Sequence, residues 1–244
     1  MRSANAYFPA PSHDWVVWLG MIVLPLVVVA VSWRVFRSSS PCRRLWVLWT
    51  VTTLSLAAAG SLFGLLSQRF PRLPYAQLLF AGCVGSALWW ALFSYKADAL
   101  RTLQPDRLVA LNVFRLPLEM VMLRAAELQI MPLQFSILGW NFDLLTGASA
   151  LVLTLYYRRR SIPRWALRLW NAWAWACLGV IALLAVATSP QIALWGHEVQ
   201  NLNLWVLFFP YVWLPSVLVG VAVASQVLLT RQLWHTRLVR GANR

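Results

Sequence analysis

The chain has 244 residues, of which 60% are hydrophobic and 11% are charged, and its net charge is +14. A soluble domain carries about 25% charged residues, so this composition excludes an ordinary soluble fold. The basic residues lie in short segments between long apolar runs, which excludes a nucleic-acid-binding protein because such proteins gather basic residues on one solvated surface.

Seven stretches of the sequence are apolar and long enough to cross a membrane, since a crossing helix needs about 20 residues. They predict an all-α, polytopic membrane protein with a single domain over residues 1–244. In chain order, the predicted spans are 15–33, 45–67, 76–95, 108–128, 133–157, 165–187 and 205–229.

The basic residues indicate how these spans are oriented. Most of the 21 lie after spans one, three and five and in the C-terminal tail. Cytoplasmic loops carry the excess of positive charge, so the pattern predicts an N-terminus outside and a C-terminus in the cytoplasm. Lys96 is the only lysine, and the preference for arginine suggests a GC-rich bacterial genome and therefore the bacterial inner membrane.

The fourth span is unusual because it contains Asn112, Arg115 and Glu119. It could lie flat in the membrane interface as an amphipathic helix. A crossing is favoured, because otherwise the later arginine clusters would face outward. The three polar residues are three or four positions apart and share one helix face.

Glu119 is predicted to lie near the middle of the bilayer, given a rise of about 1.5 Å per residue. A charge there is expected to be paired, neutral or in contact with water. Arg115, four residues earlier, is the expected partner. Pro117 lies between them, lacks a backbone N–H and predicts a kink.

Span five adds Asn141 and Asp143, and Asp143 is expected to pair with Arg115 or with Arg124. Two interpretations stay open: a ligand-binding site, and a closed ion-pair network that fixes helix packing without a ligand. The predicted buried polar residues are Asn112, Arg115, Glu119, Asn141 and Asp143.

Prolines also interrupt the last span, at Pro210 and Pro215. They predict a kinked or broken helix, which either lines a cavity or simply bends.

Small residues in spans two and three predict close helix packing within the bundle, with a homodimer face as the alternative. The pairs are Gly60 with Gly64 and Gly82 with Gly85.

No metal site or other cofactor is predicted. His13 and His197, each beside an acidic residue, have no ligand spacing. The three cysteines are an odd number without a disulfide pattern. No nucleophile or metal cluster supports catalysis, so an enzyme is less expected than a binding protein.

Three segments resemble those of a family of uncharacterised bacterial seven-transmembrane inner-membrane proteins. They are the Arg-x-Pro-x-Glu segment 115–119, the Asn-Phe-Asp segment 141–143 and the Trp-Leu-Pro segment 213–215. The resemblance implies the same fold, and it implies no activity.

The function expected first is binding or transport of a small solute or lipid between spans four, five and seven, with Arg115 holding an anionic group. Glu119 would pair with Arg115 or carry a proton. One alternative is a membrane-embedded lipid-modifying enzyme that uses Glu119 or Asp143 as acid or base. The other is a non-catalytic subunit or assembly factor of a membrane complex.

Overall fold

The computed structural model describes residues 7–36, 40–68, 74–95, 100 and 102–241, and only the backbone of 40, 41 and 235–241. Within these ranges the regular structure is helical, and the single extended pairing is an isolated antiparallel bridge between Tyr7 and Gln68. The predicted all-α class is confirmed. Some basic residues that entered the predicted orientation lie outside the described residues: Arg2, Arg37, Arg69, Arg72, Lys96, Arg101 and Arg244.

The helices follow one another with short connections. In chain order, the α-helices are α1 (Trp15–Val35), α2 (Ser40–Leu62), α3 (Tyr75–Phe93), α4 (Pro105–Leu111), α5 (Arg115–Glu127), α6 (Asp143–Tyr157), α7 (Arg164–Ala187) and α8 (Val219–Gly241). A 3₁₀ turn, Asn112–Phe114, joins α4 to α5, and a π-helical turn, Leu214–Leu218, leads into α8.

Five of the described helices are long and apolar enough to cross a membrane. Their outward surfaces carry large exposed apolar side chains, such as Leu19 and Val23 on α1 and Leu183 on α7, as contact with lipid requires. The chain is therefore a multi-pass membrane protein. The five segments are α1, Cys42–Leu62 of α2, α3, α7 and Leu214–Trp234.

The stretch predicted as span five is α-helical only from Asp143 onward. Residues 133–142 form a short 3₁₀ helix and a loop, so the prediction of a continuous helix over 133–157 is wrong for its first part. The Asn141 side chain accepts the Asp143 N–H and so starts the helix there. At about 1.5 Å per residue, α6 spans roughly 22 Å and is shorter than a bilayer core of about 30 Å.

The last predicted span, 205–229, begins as irregular chain and becomes helical from Leu214. Pro215 has no N–H to continue a regular helix, and the Val219 N–H instead reaches the Leu214 carbonyl five residues earlier. The predicted break at the prolines is therefore present, and the Phe209–Pro210 peptide bond is cis. In Leu214–Trp234, 72% of the most apolar 18 residues are buried, against 33% or less in the other four segments. This helix therefore forms the centre of the bundle.

The glycine pairs do not pack as predicted. Helix α2 ends before Gly64, which has φ +72° and closes the helix, so Gly60 and Gly64 do not share a helix face. A Cβ atom added at Gly82 or Gly85 would meet no atom within 4 Å. Among the described residues, these two glycines therefore allow no close helix approach.

Asp14 links the start of α1 to α5. Its Oδ1 accepts the Val17 N–H at 3.0 Å, and Arg124 contacts its Oδ2 at 3.3 Å. The hydrogen bond from the Val17 N–H is the largest contribution that lowers the pKa of Asp14, and the contact with Arg124 adds to it. Arg124 is thus paired with Asp14 and not with Asp143.

Candidate functional site

A buried ion pair joins α5 to α6. Arg115 Nη1 donates to Asp143 Oδ1 at 2.6 Å, and the two residues are 1% and 4% exposed. Each is the first residue of its helix. Pro117 cannot donate to the Val113 carbonyl, and the chain before it tightens into the 3₁₀ turn that precedes Arg115.

Asn141 holds the loop before α6 against α5. Its Nδ2 donates to Glu119 Oε1 at 2.7 Å and to the Phe135 carbonyl at 2.8 Å, while its Oδ1 accepts the Asp143 N–H at 2.9 Å. The sequence predicted a pair of Glu119 with Arg115, and this prediction is wrong. Glu119 bonds to Asn141 instead. One amide side chain connects the acidic residue of α5 to the start of α6.

Gly147 lets the two helices approach closely enough for these contacts. A Cβ atom at this position would lie 2.5 Å from the Leu116 backbone nitrogen and 3.1 Å from the Arg115 carbonyl carbon. Because Gly147 is one helical turn after Asp143, it lies on the same face of α6. This glycine contact brings the Asp143 carboxylate to Arg115.

A cavity of about 30 Å³ lies beside the ion pair. Its polar lining comes from Arg115, Glu119 and Asp143, and its other walls are apolar, including Leu178 of α7 and Leu218 of the π-helical turn. This volume holds about one or two water molecules. The site lies between the predicted spans four, five and seven, and span six also contributes to its walls.

Some buried polar atoms at the cavity have no hydrogen-bond partner within the described part of the chain. They are Nε and Nη2 of Arg115 and Oε2 of Glu119. Buried polar groups are normally hydrogen-bonded, so two donor nitrogens and one carboxyl oxygen remain available to a small polar molecule. An anion or a water molecule can use the donors, and the carboxyl group can exchange a proton.

Three interruptions of helical structure meet at this cavity. Phe114 belongs to the 3₁₀ turn, Asp143 follows the loop before α6, and Leu214 and Leu218 belong to the π-helical turn. In membrane proteins, irregular backbone is tolerated where it is covered by protein or lines a cavity. The buried charges and the irregular backbone therefore occur together.

Asn112 lies next to this site and does not line the cavity. Its Nδ2 donates to the Leu108 carbonyl and to Ser225 Oγ, and its Oδ1 accepts from Gln226 Nε2 at 3.1 Å. The sequence analysis missed Ser225 and Gln226. Two adjacent polar residues inside an apolar span were the available signal.

Metal ligands are not gathered at this site. Over the part of the chain that the structure describes, no three His, Cys, Asp or Glu side chains come together in a way that could hold a metal ion.

No protein-family model, curated protein or solved structure matches the chain. The inference of function therefore rests on the chemistry of the buried site.

Proposed function

We propose that the chain is a bacterial inner-membrane protein with seven spans, its N-terminus outside and its C-terminus in the cytoplasm. Helices α4 and α5 with the 3₁₀ turn between them form the fourth span, since 105–127 reaches roughly 34 Å at 1.5 Å per residue. The loop before α6 and α6 itself form the fifth. The distribution of arginines supports this orientation. The chain is proposed to belong to the family that its three segments resemble.

Within that topology, we propose that the protein binds a small anionic solute at Arg115 and moves it across the membrane. The observation that carries this proposal is a cavity lined by both Arg115 and Glu119, whose side chains keep two nitrogens and one oxygen without a partner among the described residues. Asp143 occupies one end of the guanidinium, and the remaining N–H groups suit a small anion. Glu119 carries a proton with the solute.

The size of the cavity favours a small solute over a lipid headgroup. A volume of about 30 Å³ accommodates only a few non-hydrogen atoms. Arg115, Glu119 and Asp143 are each at most 4% exposed, so transport requires a further state in which these side chains open to one side of the membrane. The interrupted helices around the cavity provide places where the backbone can bend.

The same observations weigh against a network that serves only helix packing and against a lipid-modifying enzyme. A network that serves only helix packing is expected to satisfy its buried polar atoms, whereas Arg115 and Glu119 retain unpartnered ones. An enzyme acting on lipid needs a carboxyl group that the lipid can reach, and both Glu119 and Asp143 are buried. Transport of a small solute is therefore the better explanation.

Anion-driven proton movement in vesicles tests this function. Vesicles with a pH-sensitive dye inside would receive an inward gradient of chloride or nitrate. Because a proton moves inward with the anion, wild-type protein is expected to lower the internal pH. Glu119→Gln is expected to abolish this acidification. Glu127→Gln is the matched control, because it makes the same substitution at the exposed end of α5. Wild-type vesicles that behave like protein-free vesicles with both anions would contradict the proposal.

A further inference from the structure

A second group of polar side chains, all buried except the half-buried Thr230, continues from the cavity toward the C-terminal end of α8. Ala222 lines the cavity, and Gln226 and Thr230 follow it at successive intervals of four residues, on the same helix face. We call this group the polar lane. Its members are Asn112, Asn171, Ser225, Gln226 and Thr230.

The first part of the lane lies one turn from the cavity. Gln226 Nε2 donates to Asn112 Oδ1 at 3.1 Å, and Asn112 Nδ2 donates to Ser225 Oγ at 3.1 Å. These three residues are at most 1% exposed. Since Asn112 is three residues before Arg115, the lane and the cavity share the same stretch of chain.

The second part of the lane lies one turn further along α8. Thr230 Oγ1 accepts from Asn171 Nδ2 at 2.6 Å and donates to the Gln226 carbonyl at 2.8 Å. Beyond it, Arg168 Nη2 donates to the Leu233 carbonyl at 3.0 Å. Polar groups therefore extend from the cavity to the arginine-rich end of α7.

Along the lane and at Arg168 beyond it, some buried polar atoms have no hydrogen-bond partner among the described residues. These atoms are Gln226 Oε1, Asn171 Oδ1 and Arg168 Nε. The unpartnered atoms of Arg115 and Glu119 belong to residues that line the cavity together with Ala222 of α8. Ordered water is the usual partner of such atoms inside proteins.

We infer that a file of water molecules follows the polar lane and connects the cavity to the membrane surface at the C-terminal end of α8. The lane's own side chains are neutral amides and hydroxyls, which bind water as donors and acceptors and provide no charge for a metal cation. The file brings water, and through it protons, to Glu119 from one side. This inference rests on the proposed function, because it supplies the access route of the same site.

Thiol labelling tests the route. Single cysteines would replace Gln226 and Thr230 in a chain whose three native cysteines are changed to alanine. Val227→Cys is the matched control, because Val227 is buried on the same helix but on another face. That face carries Gly220, which lies against Trp49 of α2, and Arg231, which donates to the Ala91 carbonyl of α3. A charged, membrane-impermeant thiol reagent would be added to each side of oriented vesicles.

Q226C and T230C are expected to react roughly tenfold faster than V227C, and only from the side of the C-terminus, because the reactive thiolate forms in water. Equal reaction of all three variants, or no reaction, would overturn the water file. Loss of anion-driven flux in Glu119→Gln without labelling of the lane would leave transport standing and remove this route. Labelling of the lane without any flux in the wild-type protein would retain the route and remove transport.

A second measurement needs no substitution. Hydroxyl radicals generated from bound water by X-ray irradiation oxidise side chains next to that water. Trp175 donates to Thr230 Oγ1 at 3.3 Å, whereas Trp46 is fully buried and donates to Ser32. Oxidation of Trp175 without oxidation of Trp46 is expected. Equal protection of both would contradict a hydrated lane.

Discussion

The guanidinium of Arg115, at the start of α5, donates a 2.6 Å hydrogen bond to the carboxylate of Asp143, at the start of α6. This bond joins two helices that no other ion pair links among the described residues. It occupies one nitrogen of Arg115 and leaves two others unpartnered at the cavity. The same pair therefore fixes the helices and orients the remaining donors.

Asp143→Asn tests the structural part of this role. The substitution leaves the buried Arg115 charge without compensation, which is expected to cost about 3–5 kcal/mol of stability. Thermal unfolding in detergent measures the effect. Glu127→Gln, which neutralises an exposed carboxylate, is the control and is expected to unfold like wild type. An Asp143→Asn protein as stable as wild type would show that the ion pair does not hold α5 and α6 together.

Gly147→Ala tests the close approach of α6 to α5. Its methyl group would lie 2.5 Å from the Leu116 nitrogen, and the helices must separate to admit it. The expected loss of stability is about 1–3 kcal/mol. Gly82→Ala is the matched control, because its methyl group would meet no atom within 4 Å. Equal unfolding temperatures for the two variants would be inconsistent with the tight contact.

The fourth span can be tested by labelling its two ends. Gln104 precedes α4 and Glu127 ends α5, and both are exposed. If α4 and α5 cross the membrane, Gln104→Cys and Glu127→Cys react from opposite sides of oriented vesicles, in the background without native cysteines. Reaction of both from one side would place the segment in the interface as an amphipathic helix.

Pro215→Ala tests whether the π-helical turn takes part in transport. Alanine restores a backbone N–H and favours a regular helix through Leu214–Leu218. We expect anion-driven pH change to fall several-fold while the protein still folds, because a regular helix opens the cavity less readily. Pro25→Ala, within the regular helix α1, is the matched control and should leave the flux unchanged. Unchanged flux in Pro215→Ala would remove the turn from the mechanism.

Hydropathy was sufficient to find the long helices, since α1, α3 and α7 agree closely with predicted spans. It could not find the loop at 133–142, because that loop has the same apolar composition as a helix. What keeps it non-helical is the contact of Asn141 with the Phe135 carbonyl and with Glu119, which depends on neighbouring structure.

The site was predictable to a similar extent. A charged side chain buried in a membrane requires a partner. This requirement was enough to predict from the sequence that Arg115, Glu119 and Asp143 form the site. Arg115 was the predicted partner of Glu119, whereas the structure pairs Arg115 with Asp143. That pairing depends on the approach of α6 at Gly147, which the sequence does not show. Gln226 was missed because its partner, Asn112, lies far away in the sequence.

Water access to Glu119 tests the central claim most directly. Glu119→Cys would be compared with Ala125→Cys, a fully buried position on the same helix that does not line the cavity. Both substitutions would be made in the background whose three native cysteines are changed to alanine, so that the reagent meets no other thiol. Labelling of Glu119→Cys, but not of Ala125→Cys, by a membrane-impermeant thiol reagent is the predicted result. Failure of Glu119→Cys to react from either side, in protein that inserts and folds, would contradict a solute-binding site and indicate a dry network that serves only helix packing.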